Sequence, residues 1–229
     1  MLFRSSRWRW KVEQARAEQL PPKGNWSIWL YMAGRGAGKT RTAAEWIAWE
    51  AIRQPKTRWA IVAPTFSDAR DTCAEGESGV LSVLRRYGML KHYNRSIGEI
   101  VLTNGSRMKL FSADEPERFR GPQHHGAWCD ELAAYDYLDE VWSQLMFSVR
   151  LGKRTRIICT TTPKPKDLIV DLVGREGDDV HLVTASTYSN IDNLAPSFQK
   201  QILQYEGTKL GRQEIYAEII DPEESGIVK

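Results

Sequence analysis

Apolar positions along this chain fall in short runs bounded by turn residues, and the runs alternate with segments of helical period. Trp26-Ser27-Ile28-Trp29-Leu30-Tyr31-Met32 is a continuous apolar run of strand length, which predicts a buried strand. Arg41 to Arg53 predicts a helix that stops near Gln54-Pro55, because the residue before proline avoids the helical region. Trp59 to Ala63 predicts a second strand closed by Pro64, followed by helices over Asp68 to Ala74 and Val80 to Tyr87. Ile100-Val101-Leu102 and Met108-Lys109-Leu110-Phe111 flank Asn104-Gly105, a pair suited to a tight hairpin turn. Gly126 to Cys129, Arg156 to Thr160 and Val180 to Ala185 read as further buried strands, with a helix over Tyr137 to Phe147. Two last helices, Pro196 to Glu206 and Thr208 to Ala217, break at Gly207, and Asp221-Pro222 closes the structured part. Strands separated by helices predict an α/β fold with a mostly parallel sheet and right-handed crossovers.

The pattern divides the chain into a basic N-terminal helix (1–25), a large core (26–188), a small helical lid (189–221) and a linker-like tail (222–229). At 229 residues there is room for one large α/β domain with a small appendage. No apolar run approaches the roughly 20 residues that span a bilayer, so no membrane association is expected. Cys73, Cys129 and Cys159 are widely spaced and read as reduced, buried thiols. They share no zinc-ligand spacing with His92, His124, His125 or His181. Net charge is +3, and it is unevenly spread: six basic residues oppose two acidic ones between Met1 and Lys23. That arm carries Trp8 and Trp10, which suit either phosphate contact or packing on the domain.

Chemistry concentrates where the first strand meets the first long helix. Ala33-Gly34-Arg35-Gly36-Ala37-Gly38-Lys39-Thr40 has the composition of a phosphate cradle. Its glycines let backbone N–H groups converge on phosphate, and the helix N-terminus adds positive dipole. Lys39 is expected to meet the β- and γ-phosphates of ATP, and the Thr40 hydroxyl to ligate Mg²⁺. Ala33 stands where such loops usually begin with glycine. Asp130-Glu131 closes a predicted parallel strand, where open α/β sheets bind ligands. Asp130 suits Mg²⁺ coordination and Glu131 the polarisation of attacking water. Thr160-Thr161-Thr162 ends the neighbouring strand with hydroxyls that can reach a γ-phosphate or its water. Arg120, and Arg35 inside the loop, are candidates for stabilising charge on the transferring phosphoryl group.

Taken together, these residues resemble the large terminase subunit of tailed bacteriophages. The loop in its Trp26 to Trp46 context carries the resemblance, with Ala63-Pro64-Thr65 and Ala69-Arg70-Asp71. So do Phe119-Arg120-Gly121-Pro122-Gln123 before Trp128-Cys129-Asp130-Glu131, and Thr160-Thr161-Thr162-Pro163-Lys164-Pro165. Tyr205-Glu206-Gly207-Thr208 and Gly211-Arg212-Gln213-Glu214 complete it, from about Arg16 to Asp221. The resemblance implies an additional-strand phosphate-loop ATPase core with a lid, followed in the family by a nuclease. It implies a homo-oligomeric ring, monomeric in isolation, working in the cytoplasm of the infected bacterium. There the ring meets the portal protein and the small terminase subunit and drives double-stranded DNA into a procapsid. Gln19, ahead of Pro21-Pro22, is similar to the family's adenine-recognition residue, and Arg120 to an arginine that reaches a neighbour's site. The family's nuclease needs clustered carboxylates on a second sheet to hold two metals, and this sequence stops before such a domain, so it is expected to be the ATPase half without nuclease activity of its own. A helicase-like ATPase, a metabolite kinase and an ATP-binding scaffold without turnover are the competing classes.

Overall fold

Strand β1 (Ile28–Ala33) is buried along its whole length, and its period of two feeds two separate cores. Trp29, Tyr31 and Ala33 point to one face of the sheet, and Ile28, Leu30 and Met32 to the other. The computed structural model describes residues 9–220. Its eight strands form one sheet in the order β3-β4-β5-β2-β6-β7-β1-β8. The other strands are β2 (Arg58–Ala63), β3 (Leu90–Asn94), β4 (Glu99–Leu102), β5 (Arg107–Ser112), β6 (Gly126–Cys129), β7 (Arg156–Thr161) and β8 (Val180–Ala185). β1 pairs in parallel with β7 and β8, β2 with β5 and β6, and β6 with β7. Only β3 and β4 add antiparallel, at one edge. The result is a mixed α/β fold with a mostly parallel sheet flanked by helices, as expected.

Helix α1 (Lys39–Arg53) and helix α2 (Val80–Arg86) cover the first face. Trp46 of α1 meets Trp59 edge-on at 6.0 Å, and Trp26 lies 6.2 Å from both Trp29 and Trp46. Aromatic pairs at these separations gain more than burial alone supplies. Helices α3 (Leu138–Ser148) and α4 (Asp167–Gly174) cover the second face through Leu138, Val141, Leu145, Ile169 and Leu172. The chain then packs a 3₁₀ segment (Thr187–Asn193), α5 (Pro196–Leu203) and α6 (Lys209–Glu214) beside the ends of β1 and β8.

Several elements differ from the sequence expectation. β3 is a half-exposed edge strand with no apolar run to reveal it. Helix α4 follows Pro163 and Pro165 closely enough to be hidden by their breaker signal. The last helix ends at Glu214 rather than Ala217, and Ala217 takes a left-handed backbone. The N-terminal segment is not one helix. A π-type turn (Trp10–Gln14) and a 3₁₀ turn (Ala17–Gln19) are separated by the extended backbone of Ala15 and Arg16. Trp10 is buried, with the Arg41 guanidinium 5.0 Å from its ring, so here the aromatic arm packs on the domain. Expectations for Arg4, Arg7, Trp8, Asp221-Pro222 and the 222–229 tail lie outside the described residues.

Candidate nucleotide site

β1, β2, β6 and β7 all deliver their carboxyl ends to one cleft of about 820 Å³. The loop leaving β1 supplies Gly34, Arg35, Gly36, Gly38, Lys39 and Thr40 to its lining, and the turn after β6 supplies Asp130 and Glu131. Gly36 (φ 74°) and Gly38 (φ 87°) hold left-handed conformations that side chains resist, so glycine is required at both. Ala33 is no defect in this loop. It is the last residue of β1, buried, and its carbonyl accepts from Lys39 Nζ at 2.9 Å. The sterically tight position is Gly34, where a Cβ would stand 2.5 Å from both the Ile215 carbonyl and Thr187 Oγ1.

Lys39 opens α1 and reaches across the cleft. Its ammonium donates to Thr162 Oγ1 at 3.1 Å and stands 3.3 Å from Glu131 Oε1. The Thr162 amide donates to the other Glu131 oxygen at 3.1 Å. Glu131 itself has φ 49° and ψ 47°, a left-handed backbone uncommon for a residue with a side chain. Strain of this kind concentrates at functional positions. Asp130 is buried, and burial pushes its carboxyl up to about 6, although Thr160 Oγ1 donates to Asp130 Oδ1 at 2.7 Å and works the other way.

The three threonines of β7 and its end divide their tasks. Thr160 Oγ1 accepts from Trp128 Nε1 and braces Asp130, so it supports the acidic turn from behind. Thr161 Oγ1 accepts from the Ala133 amide and pins the turn after Glu131. Neither lines the cleft; Thr162 does. The alternation of a strand explains this, because adjacent hydroxyls point to opposite faces and the strand end alone faces the ligand.

Gln19 also stays out of the lining. Its amide oxygen accepts from Arg16 N at 3.1 Å, and its Nε2 donates to Thr42 Oγ1 at 3.1 Å. It lies directly behind the loop, where a Cβ on Gly38 would meet its Nε2 at 2.8 Å. Arg35 is exposed and turned towards α6, with Nε 2.7 Å from Glu214 Oε2. Arg120 is not brought to this cleft. It pairs with Glu117 at 3.0 Å and lines a second cleft with Arg58, Arg107, Lys109 and Arg118.

A set of contacts that the sequence did not reveal straps the loop from outside. Asn190 Nδ2 donates to the Gly36 carbonyl at 2.7 Å, and Thr187 Oγ1 to the Arg35 carbonyl at 2.7 Å. Arg16 donates to the Ala37 carbonyl at 2.6 Å and to Asn190 Oδ1 at 2.8 Å. The Gly34, Arg35 and Ala37 amides donate to the carbonyls of Ala185, Glu214 and Gly34, which leaves the amides of Gly36, Gly38, Lys39 and Thr40 for an anion. Among the described residues no group of three or more His, Cys, Asp or Glu is placed to hold a metal by itself. No helix there is long and apolar enough to cross a membrane.

Residues 30–228 match the family model described as terminase large subunit, T4-like-virus type, N-terminal. The chain is similar in structure to the large terminase ATPase domain of Thermus phage P74-26, with 16% identity and a TM-score of 0.67 over 90% of this chain and 94% of that one. Similarity to the large terminase of a thermophilic bacteriophage, solved in complex with ADP, gives 13% identity and a TM-score of 0.73, over 94% of this chain and 53% of that one. The HK97 bacteriophage large terminase gives 12% identity and a TM-score of 0.62, over 85% and 47%. At such identities the likeness is one of fold, and this chain spans about half the length of the last two proteins. No curated protein sequence matches it.

Proposed function

This chain belongs to the large terminase subunit family, and on that footing we propose that it is the ATP-hydrolysing module of a DNA-packaging motor. The observation that carries the reading is the convergence of the glycine loop and the Asp130-Glu131 turn on one cleft, with Lys39 bridging them at 3.3 Å. The large terminase of the thermophilic bacteriophage, solved with ADP and with ATP-gamma-S, supports a nucleotide in this fold.

The donor set fits the magnesium salt of ATP. Loop amides and Lys39 suit polyphosphate, while the Thr40 hydroxyl and Asp130 carboxylate are the hard oxygen donors that Mg²⁺ prefers. Held there by Thr40 and Asp130, Mg²⁺ would neutralise phosphate oxygens. Lys39 then serves the β- and γ-phosphates. Glu131 accepts the proton of the water that attacks the γ-phosphorus, and its carboxylate is aimed by the Thr162 amide. Thr160 and Thr161 act as positioning residues for the acidic turn, and Gln19 braces the loop beside the adenine end. Arg120 acts on a neighbouring copy in a ring, with Arg35 as the arginine acting within its own subunit.

Residues 26–188 form the ATPase core and 189–221 a lid that touches the loop through Asn190 and Glu214. Double-stranded DNA, a portal and a small subunit are the partners of the assembled motor in the host cytoplasm. Phosphate release with Mg²⁺, measured with and without duplex DNA beside mass measurement in solution, tests the reading. Hydrolysis that vanishes in Lys39→Ala and rises with duplex DNA supports it; a parent chain that neither binds nor hydrolyses ATP sinks it.

A further inference from the structure

Four cationic side chains line the nucleotide cleft: Arg35, Lys39, Arg41 and Lys164. The first three are held by carboxylates, Arg35 by Glu214, Lys39 by Glu131 and Arg41 by Glu45. Lys164 is exposed, and its ammonium has no ion pair or hydrogen bond among the described residues. The cleft also presents the carboxylates of Asp68, Glu77, Asp130, Glu131 and Glu214, so a polyanion entering it faces more acid than base. An uncommitted cation therefore matters more here than on an ordinary surface.

The backbone under Lys164 is unusually fixed. Pro163 and Pro165 lock their own φ, and a residue before proline is confined to extended conformations. The Lys166 amide donates to the Lys164 carbonyl at 2.8 Å, and Lys166 Nζ is tied to the Tyr135 carbonyl at 2.6 Å. Two residues upstream, Thr162 holds both Lys39 and Glu131. β7 lies between β6, which carries Asp130 and Glu131, and β1, which carries the loop. Lys164 thus leaves a rigid pedestal between the acidic turn and the phosphate cradle.

Resting on the nucleotide reading above, we propose that Lys164 is a ligand of the terminal phosphate, a third cation supplied within the subunit that separates ATP from ADP. Its contact is lost with the γ-phosphate, whereas that of Lys39 spans the β-phosphate as well. The test is binding of ATP-gamma-S and of ADP, each with Mg²⁺, to the parent, Lys164→Ala and Lys164→Arg, with thermal unfolding of each. A charge-assisted contact predicts a loss of about tenfold or more for ATP-gamma-S in Lys164→Ala. ADP affinity should change by less than about twofold, melting should be unaltered, and Lys164→Arg should recover most of the loss. Unchanged ATP-gamma-S affinity in Lys164→Ala, or an equal loss for both nucleotides, overturns the assignment alone. A parent chain that binds neither nucleotide overturns it together with the nucleotide reading.

Discussion

Lys39 Nζ and Glu131 Oε1 stand 3.3 Å apart, so the loop cation and the acidic turn are joined across the cleft. A polyphosphate drawing Lys39 to itself must share or displace that contact. Glu131 keeps its second anchor at the Thr162 amide, and so it stays aimed as Lys39 turns to a new partner. Substitution of the two residues therefore separates binding from chemistry. Lys39→Ala should weaken ATP binding and abolish turnover. Glu131→Gln, which preserves shape and the amide contact, should bind ATP at near-parent affinity and lower kcat by about 10²-fold or more. Parent-rate phosphate release by Glu131→Gln would exclude it as the group that activates water.

Arg120 is exposed and lines a cleft other than that of its own loop, which suits action on a neighbour. Arginines supplied to a γ-phosphate accelerate hydrolysis by about 10³ to 10⁵ in characterised GTPases. Arg120→Ala should bind ATP normally and hydrolyse it poorly under conditions of assembly. Mixing it with Glu131→Gln should restore activity above either variant alone. Absence of rescue in mixtures shown to co-assemble would move the role to Arg35.

Gly34→Ala should be the most damaging single methyl in the loop. The added Cβ faces the carbonyls of Ile215 and Glu214 at 2.5 and 2.7 Å, and neither atom is the end of a flexible side chain. Overpacking of this kind costs about 1–3 kcal/mol, and the displaced backbone carries the loop with it. Denaturant unfolding and nucleotide titration should both worsen. A melting curve and an ATP affinity equal to the parent's would show that the strap yields without cost.

Stability should fall in mild acid through His124. Burial, with Arg58 and His125 adding repulsion, holds its imidazole down to about 4 from the usual 6.5. The unfolded chain takes up the proton first, so this contribution is complete above pH 6.5 and is lost as pH falls towards 4. The size is about 3 kcal/mol, from 1.36 kcal/mol per pKa unit. His124→Gln should flatten the stability profile in that window when urea midpoints of the two proteins are compared; parallel profiles would remove His124 as the cause.

Much of this architecture was legible because burial on both faces writes itself as an uninterrupted apolar run. β1, β2, β6 and β7 are such strands, and their ends carry the loop and the acidic pair. β3 was illegible because an edge strand needs no apolar run, and α4 because two prolines mask its start. Residue type alone could not separate Thr160, which braces Asp130, from Thr162, which faces the cleft; that distinction is one of position along the strand end. The straps from Thr187, Asn190 and Glu214 were invisible for another reason. They lie 152 to 179 residues from their loop partners, and single polar side chains carry no pattern at that range.

That same separation bears on how the protein is made. The loop is translated early, yet the carbonyls of Arg35 and Gly36 find their partners only when Thr187 and Asn190 emerge, and Arg35 finds its own at Glu214. Contacts this distant in sequence form late in folding, after the local elements are in place. A ribosome-bound chain ending before Thr187 carries every residue of the glycine loop and the acidic turn without these braces. In such a chain the Arg35 and Gly36 carbonyls and the Arg35 guanidinium have none of these partners, so the outer brace of the glycine loop is complete only once residues 187–214 have been made.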